Sequence, residues 1–299
     1  MSAAVLYDHP GPKAKVRNRV ISVIFIVAVA VALYFVISGV ADKRELEAAK
    51  WQPFTDWNVW QNILLPGLWA TVKAALISVV IALPIGAVLA VGRLSDHAAV
   101  RAVATAIVEF FRAIPVLLLM FFAYQFFIVV VGLNPANLAL YSVVTGLVLY
   151  NASVLAEIFR SGVHSLPKGQ TEASMAIGLR KGQMMSIVLL PQALTAMLPA
   201  IVSQLVVVLK DTALGSILVH YPELMDTKTQ LTSNKAGVVA TYVVIAVLFI
   251  AMNSALTQLA GYLEKKLRVR RGGRAVKVDA ALAATLPVEV IVPEVTGRK

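Results

Sequence analysis

The chain has 299 residues, of which 59% are hydrophobic and only 14% charged, and it carries a formal net charge of +11. Soluble domains hold about 45–50% apolar and about 25% charged residues, so a core surrounded by water cannot hide this much apolar surface and lipid must be part of the solvent. With no cysteine there is neither a disulfide nor a thiolate metal site, and His9, His97, His164 and His220 match no metal-ligand spacing, so no metal site is expected. The basic residues flank apolar runs instead of forming a stripe with interleaved aromatics, which points to a membrane and away from nucleic acid.

A bilayer core needs about 20 apolar residues in helical form. Residues 1–19 read as a short basic tail on the inner side. Val20–Val40 is an uncharged span, and it lacks the small-residue cleavage site of a signal peptide. Residues 41–62 follow as an extracytoplasmic segment whose Trp51, Trp57 and Trp60 suit an interfacial belt. A core over 63–265 then holds spans near 67–91, 104–131, 139–159, 187–209 and 237–263, with Pro84, Pro115, Pro191 and Pro199 as expected kinks. The stretch 104–131 is longer than one span requires. Residues 266–299 read as a basic, disordered cytoplasmic tail. Lys and Arg concentrate on the side shared by both termini, which predicts about six transmembrane helices in an all-α membrane protein, N-in and C-in.

Between the fourth and fifth spans lies a polar cytoplasmic loop, 160–186 (RSGVHSLPKGQTEASMAIGLRKGQMMS). Ser165 is the expected cap of a first short helix, with Pro167 in its opening turn. Ala173, Met175, Ala176 and Ile177 form a small apolar patch beside Glu172, and Gly178 ends the run. A second short helix is expected from about Arg180. Exposed small apolar side chains around one acid predict a surface that another protein covers.

The run Glu172-Ala173-Ser174, then Gly178, then Val188-x-Leu190-Pro191 resembles the EAA loop of ABC importer permeases. The neighbouring text resembles their polar amino acid subfamily: Glu109–Pro115 (EFFRAIP), Ala156–Val163 (AEIFRSGV), Leu209–Leu214 (LKDTAL) and the Gly67–Thr71 start of the second span. Ser174 and Val188 depart from the usual Ala and Ile. The resemblance covers about residues 63 to 265 and implies a type I ABC importer permease fold. It also implies partners: a cytoplasmic ABC ATPase dimer, a second permease subunit (the same or a homologous chain), an external solute-binding protein and the lipid of the bacterial cytoplasmic membrane. Gly169, Gln170, Glu172, Ala173, Ser174 and Gly178 would couple the loop to the ATPase. ATP and Mg would sit on that partner, with no cofactor in this chain, because it has no G-x-x-x-x-G-K-[ST] loop. The chain is therefore not expected to be an enzyme, and a glutamate, glutamine or aspartate substrate is expected from the resemblance.

Ionisable groups near lipid are candidates for the translocation path or its gate. Glu109 and Arg112 stand three apart on one helical face, as do Glu157 and Arg160, so two intrahelical ion pairs are expected. Lys210 and Asp211 lie at the outer end of the fifth span, either paired with each other or meeting substrate. Asn151, Ser153, Gln192 and Gln204 suit hydrogen bonding between helices. An ion-coupled secondary transporter is the alternative. It would show an inverted repeat and no docking loop.

Overall fold

The computed structural model describes residues 11–283, and all regular structure among them is helical. Two compact units are distinguished: the residues up to Ile63 with Lys228–Val244, and Leu64–Thr227 with the residues from Ile245 onward.

In the first unit, α1 (Pro12–Asp42) opens with proline in its first turn, where a missing N–H leaves no bond unmade. It begins eight residues before the expected span because the basic residues between are good helix formers. No residue of α1 is buried; Phe25, Ile26, Tyr34 and Phe35 all point outward, as a lipid-facing helix requires. The following segment folds back through short helical turns, with the Trp60 indole N–H donating to the Phe54 carbonyl at 2.8 Å. The Glu45 carboxylate accepts the Val239 N–H at 3.1 Å, and the Lys50 carbonyl accepts the Gly237 N–H at 3.0 Å. An acid thus satisfies a donor in the first turn of the last long helix.

The second unit is built on α2 (Leu65–Arg93), α3 (Ala98–Ala113), α4 (Val116–Phe126), α5 (Pro135–His164), α6 (Lys168–Ala176), α7 (Leu190–Asp211) and the later part of α8 (Val238–Ala283). The buried face of α2 is made of small residues: Gly67, Thr71, Ala74, Ala75, Ser78, Ala82, Gly86 and Ala90. Small residues let membrane helices approach closely, where dispersion rather than the hydrophobic effect holds them. At Gly86 a methyl group would stand 2.9 Å from the Ala152 carbonyl oxygen on α5, so nothing larger fits the crossing. The same logic places Gly146 of α5 against the backbone of Met120. Ala74, Met120, Val143, Leu147, Val208 and Leu209 join in one core shared by α2, α4, α5 and α7. Within that bundle the Gln204 side-chain amide donates to the Asn151 Oδ1 at 2.6 Å, joining α7 to α5 as expected of polar groups inside spans.

Among the described residues five helices are long and apolar enough to cross a membrane, and α3 with α4 and its π-helical extension to Val131 makes a sixth if counted together. This corrects the expected third span. The kink expected at Pro115 is a full break: the chain turns by 100° between α3 and α4, so 104–131 is two helices and not one kinked span. Ile114 is extended (ψ 130°) because a residue before proline is pushed out of the helical region, and Pro115 (ψ 132°) is the N-cap of α4. Pro84 and Pro199, by contrast, lie inside continuous helices, and Pro191 sits in the first turn of α7. The backbone of α8 stays helical through the basic run to Ala283, where the sequence predicts a tail, and residues 284–299 lie outside the described residues.

Candidate coupling loop and inner charge cluster

α6 is a nine-residue helix whose N-cap is Pro167, not Ser165 as expected. The Ser165 hydroxyl donates back to the Gly162 carbonyl at 2.8 Å, so it serves the end of α5. At the other end the Leu179 N–H reaches the Ser174 carbonyl (3.1 Å) and the Gly178 N–H reaches the Met175 carbonyl (2.9 Å). This pair of bonds is a Schellman close, and it requires the left-handed backbone that Gly178 adopts (φ 76°). The glycine predicted to redirect the chain does so.

Glu172 and Ala173 are exposed, and Met175 and Ile177 leave 57% and 75% of their surface open. Ser174, expected to help a partner approach, is buried and donates to the Gln170 carbonyl, so it packs inward. Gly169 stands in open space, and the Gln170 side chain accepts from Gln192 at 3.1 Å. A single helical turn, Lys181–Gln183, starts where the second short helix was expected; its first N–H, from Arg180, is held by the Gln183 side chain. The loop therefore presents one acid and an apolar patch outward on a helix braced from behind.

The two predicted ion pairs are present, but they belong to one cluster. Arg160 bonds Glu157 at 2.7 Å and Arg112 stands 3.6 Å from Glu109. Between them lies Arg93, from the last turn of α2, which reaches Glu157 at 2.7 Å and Glu109 at 3.2 Å. Its side chain is only 8% exposed. Three helices are tied by five charged side chains, three cationic and two anionic. Arg112 is the least engaged, 3.7 Å from Glu157, and it borders a cavity of about 400 Å³ lined also by Ser161, Gly162, Ser165 and Met197. Sequence reasoning missed Arg93 as a member; an arginine closing an apolar span looks like an ordinary inner flanking charge. Lys210 and Asp211 do not pair with each other; Lys210 is exposed and Asp211 partly buried at the far end of α7 from the coupling loop.

Another missed residue is Glu223, in the connection that follows α7. It is fully buried, its carboxylate accepting the Asp226 N–H at 3.0 Å and lying 3.2 Å from the Thr71 hydroxyl. Thr71 in turn accepts the Leu224 N–H and stands 3.1 Å from the Gly67 carbonyl. The Thr71 hydroxyl has one proton to give, to the Glu223 carboxylate or to the Gly67 carbonyl. Burial pushes the Glu223 carboxyl up to about 7, and burial likewise pushes Tyr221, whose hydroxyl donates to the Ala70 carbonyl, up to about 12. An acid that holds its proton more tightly folded than unfolded favours folding most below pH 4.5, and that advantage is lost as pH rises to about 7. Between pH 5 and pH 8 the purified protein should lose up to about 3 kcal/mol from this group. Glu223→Gln should flatten that slope in thermal unfolding in detergent; an unchanged slope removes the assignment.

Comparison with known proteins places this geometry. Residues 82–269 match the family described as binding-protein-dependent transport system inner membrane component. The chain belongs to this family. The permease is 46% identical over 227 residues to the glutamate transport system permease protein GluD of Corynebacterium glutamicum, covering 76% of this chain and 83% of that one. It is 38% identical over 160 residues to the glutamate/aspartate import permease protein GltK of Escherichia coli O157:H7, covering 52% and 71%. Among solved structures it resembles one described as an amino acid ABC transporter with histidines (TM-score 0.63, 25% identity, 69% of this chain and 95% of that one). It also shares the fold of the MetNI methionine ABC transporter (TM-score 0.57, 23% identity, 69% and 96%). The protein is thus a multi-pass permease subunit of an ATP-driven importer in the cytoplasmic membrane, with the type I permease fold. The family works with an ATPase and a solute-binding protein, and hydrolysis belongs to the ATPase. Membership sets aside the ion-coupled alternative.

Proposed function

We propose that this permease imports an acidic amino acid or its amide, of the glutamate, glutamine or aspartate type. In this reading the exposed face of α6 docks on its ATPase dimer, and the bundle pairs with a second permease chain beneath an external solute-binding protein. Glu172 is the acceptor offered to the ATPase, with Ala173, Met175 and Ile177 around it and Gly178 as the turning point. Glu109, Arg112, Glu157 and Arg160 line the inner end of the path, and Lys210 and Asp211 its outer end. The observation that carries the substrate class is the 46% identity to a glutamate permease, which spans both the loop and the charge cluster. The excess of one cation in the cluster, with Arg112 loosely held beside a cavity, agrees with passage of a carboxylate. Co-purification in mild detergent tests the assembly and names the binding protein, whose ligand then names the substrate. Uptake of labelled glutamate, glutamine and aspartate by the reconstituted transporter should exceed uptake of lysine or leucine. Preference for a cationic or apolar amino acid overturns the substrate class.

A further inference from the structure

The coupling loop touches the bundle at a point that the docking of α6 does not require. The Lys181 ammonium, three residues beyond the Gly178 turn, hydrogen-bonds the Asp96 carboxylate and donates to the Leu94 carbonyl at 3.1 Å. Leu94 is the residue that caps α2, and Arg93 directly before it is the buried centre of the charge cluster. A cation on the last carbonyls of a helix meets both unsatisfied acceptors and the negative end of the helix dipole. The Asp96 carboxyl is held below its ordinary range, chiefly by the Lys181 hydrogen bond. Both side chains remain substantially exposed, and exposed pairs of this kind add little to stability. The consequence of the contact is therefore positional: it decides which part of the bundle the loop can pull.

We propose that Lys181 is a positioning residue that links the coupling loop to the inner end of α2, so that displacement of α6 is passed through Leu94 to Arg93 and the Glu109–Glu157 cluster. The proposal rests on the reading of α6 as the ATPase dock. The loop then has two separate mechanical jobs. Glu172 and its patch receive the motion, the Schellman close at Gly178 turns the chain, and Lys181 delivers the motion to a helix end 87 residues earlier in sequence. Without the link, α6 still has its direct path into α7 through the buried Met184 and Leu189, so coupling weakens and is not abolished.

The test uses the complete transporter, with ATPase and binding protein, in proteoliposomes, and reads uptake per ATP hydrolysed. Lys181→Met and Lys181→Glu should leave ATPase co-purification and hydrolysis near wild type, and should lower uptake per ATP by about three- to tenfold. Lys181→Arg should keep the ratio, because it retains donors for both acceptors. The exchange Lys181→Asp with Asp96→Lys rebuilds the ion pair but not the donor to Leu94, so it should recover only part of the lost ratio. An unchanged ratio in Lys181→Glu, or an exchange that restores nothing, overturns the link. Glu172→Arg run alongside separates the two readings. If it uncouples transport while the Lys181 variants behave as wild type, only the link is wrong; if it also transports normally, the docking reading falls first.

Discussion

Glu172→Arg is expected to abolish ATP-driven uptake without removing the protein from the membrane or lowering its thermal stability in detergent. Glu172 is exposed on α6 and bonds nothing among the described residues, so the fold has no use for its charge. Its neighbours make an exposed acid meaningful: Met175 and Ile177 form an apolar patch beside it, and Ser174 braces the helix from behind. An acceptor ringed by apolar side chains is a contact point that becomes desolvated when a partner closes over it, and charged pairs at such points count for more than rim pairs. Losing one partner of a buried charge-assisted bond costs about 2–5 kcal/mol, and each 1.4 kcal/mol is about tenfold. Arginine adds repulsion against whatever donor faced the acid, so docking of the ATPase should weaken by about 30-fold or more. Glu172→Ala should fall between. Co-purification of the ATPase, uptake and the unfolding temperature, measured on the same preparations, check it. Full uptake by Glu172→Arg would sink the docking reading.

What the sequence made legible follows from how far apart the interacting residues lie. The coupling loop is local: its acid, patch and glycine fall within seven residues, and the left-handed Gly178 is just what a helix stop of that composition needs. The spans are likewise visible as long apolar runs. The break at Ile114–Pro115 was half legible. Proline signals a disturbance, but whether the helix continues, as through Pro84 and Pro199, or turns by 100° depends on the packing that receives the two halves. Ser165 shows a near miss of another kind: as a cap its hydroxyl would accept an N–H ahead of it, but it donates to the Gly162 carbonyl behind it. Arg93 and Glu223 were not legible at all. Arg93 finds its acids 16 and 64 residues away, and Glu223 is buried by a threonine 152 residues earlier in a helix whose Gly67 lets the connection come close. No periodicity carries such information.

Arg93→Met should reduce uptake severely while leaving the ATPase bound, a pattern opposite to that of Glu172→Arg. Arg112 stands 3.6 and 3.7 Å from the two acids, whereas the Arg93 guanidinium bonds both at 3.2 and 2.7 Å from α2, its fork serving Glu109 and Glu157 at once. Methionine keeps much of the stem's packing and removes the charge. Glu157 still has Arg160 and Arg112, so it is not left bare. The loss is therefore nearer the cost of one charge-assisted bond, about 1.5–3 kcal/mol, than that of an orphaned buried ion. The protein should fold. What disappears is the tie of the inner end of α2 to α3 and α5, which Arg112 still joins to each other through Glu157. Arg93→Lys separates charge from geometry: a single ammonium preserves the net charge but cannot span two carboxylates as the fork does, so it should recover stability more than transport. Unfolding temperature, ATPase co-purification and uptake would be read together for both variants. Wild-type uptake in Arg93→Met would mean that the cluster neutralises charge at the inner surface and nothing more; full recovery by lysine would mean that charge, and not the bridge between helices, is what transport requires.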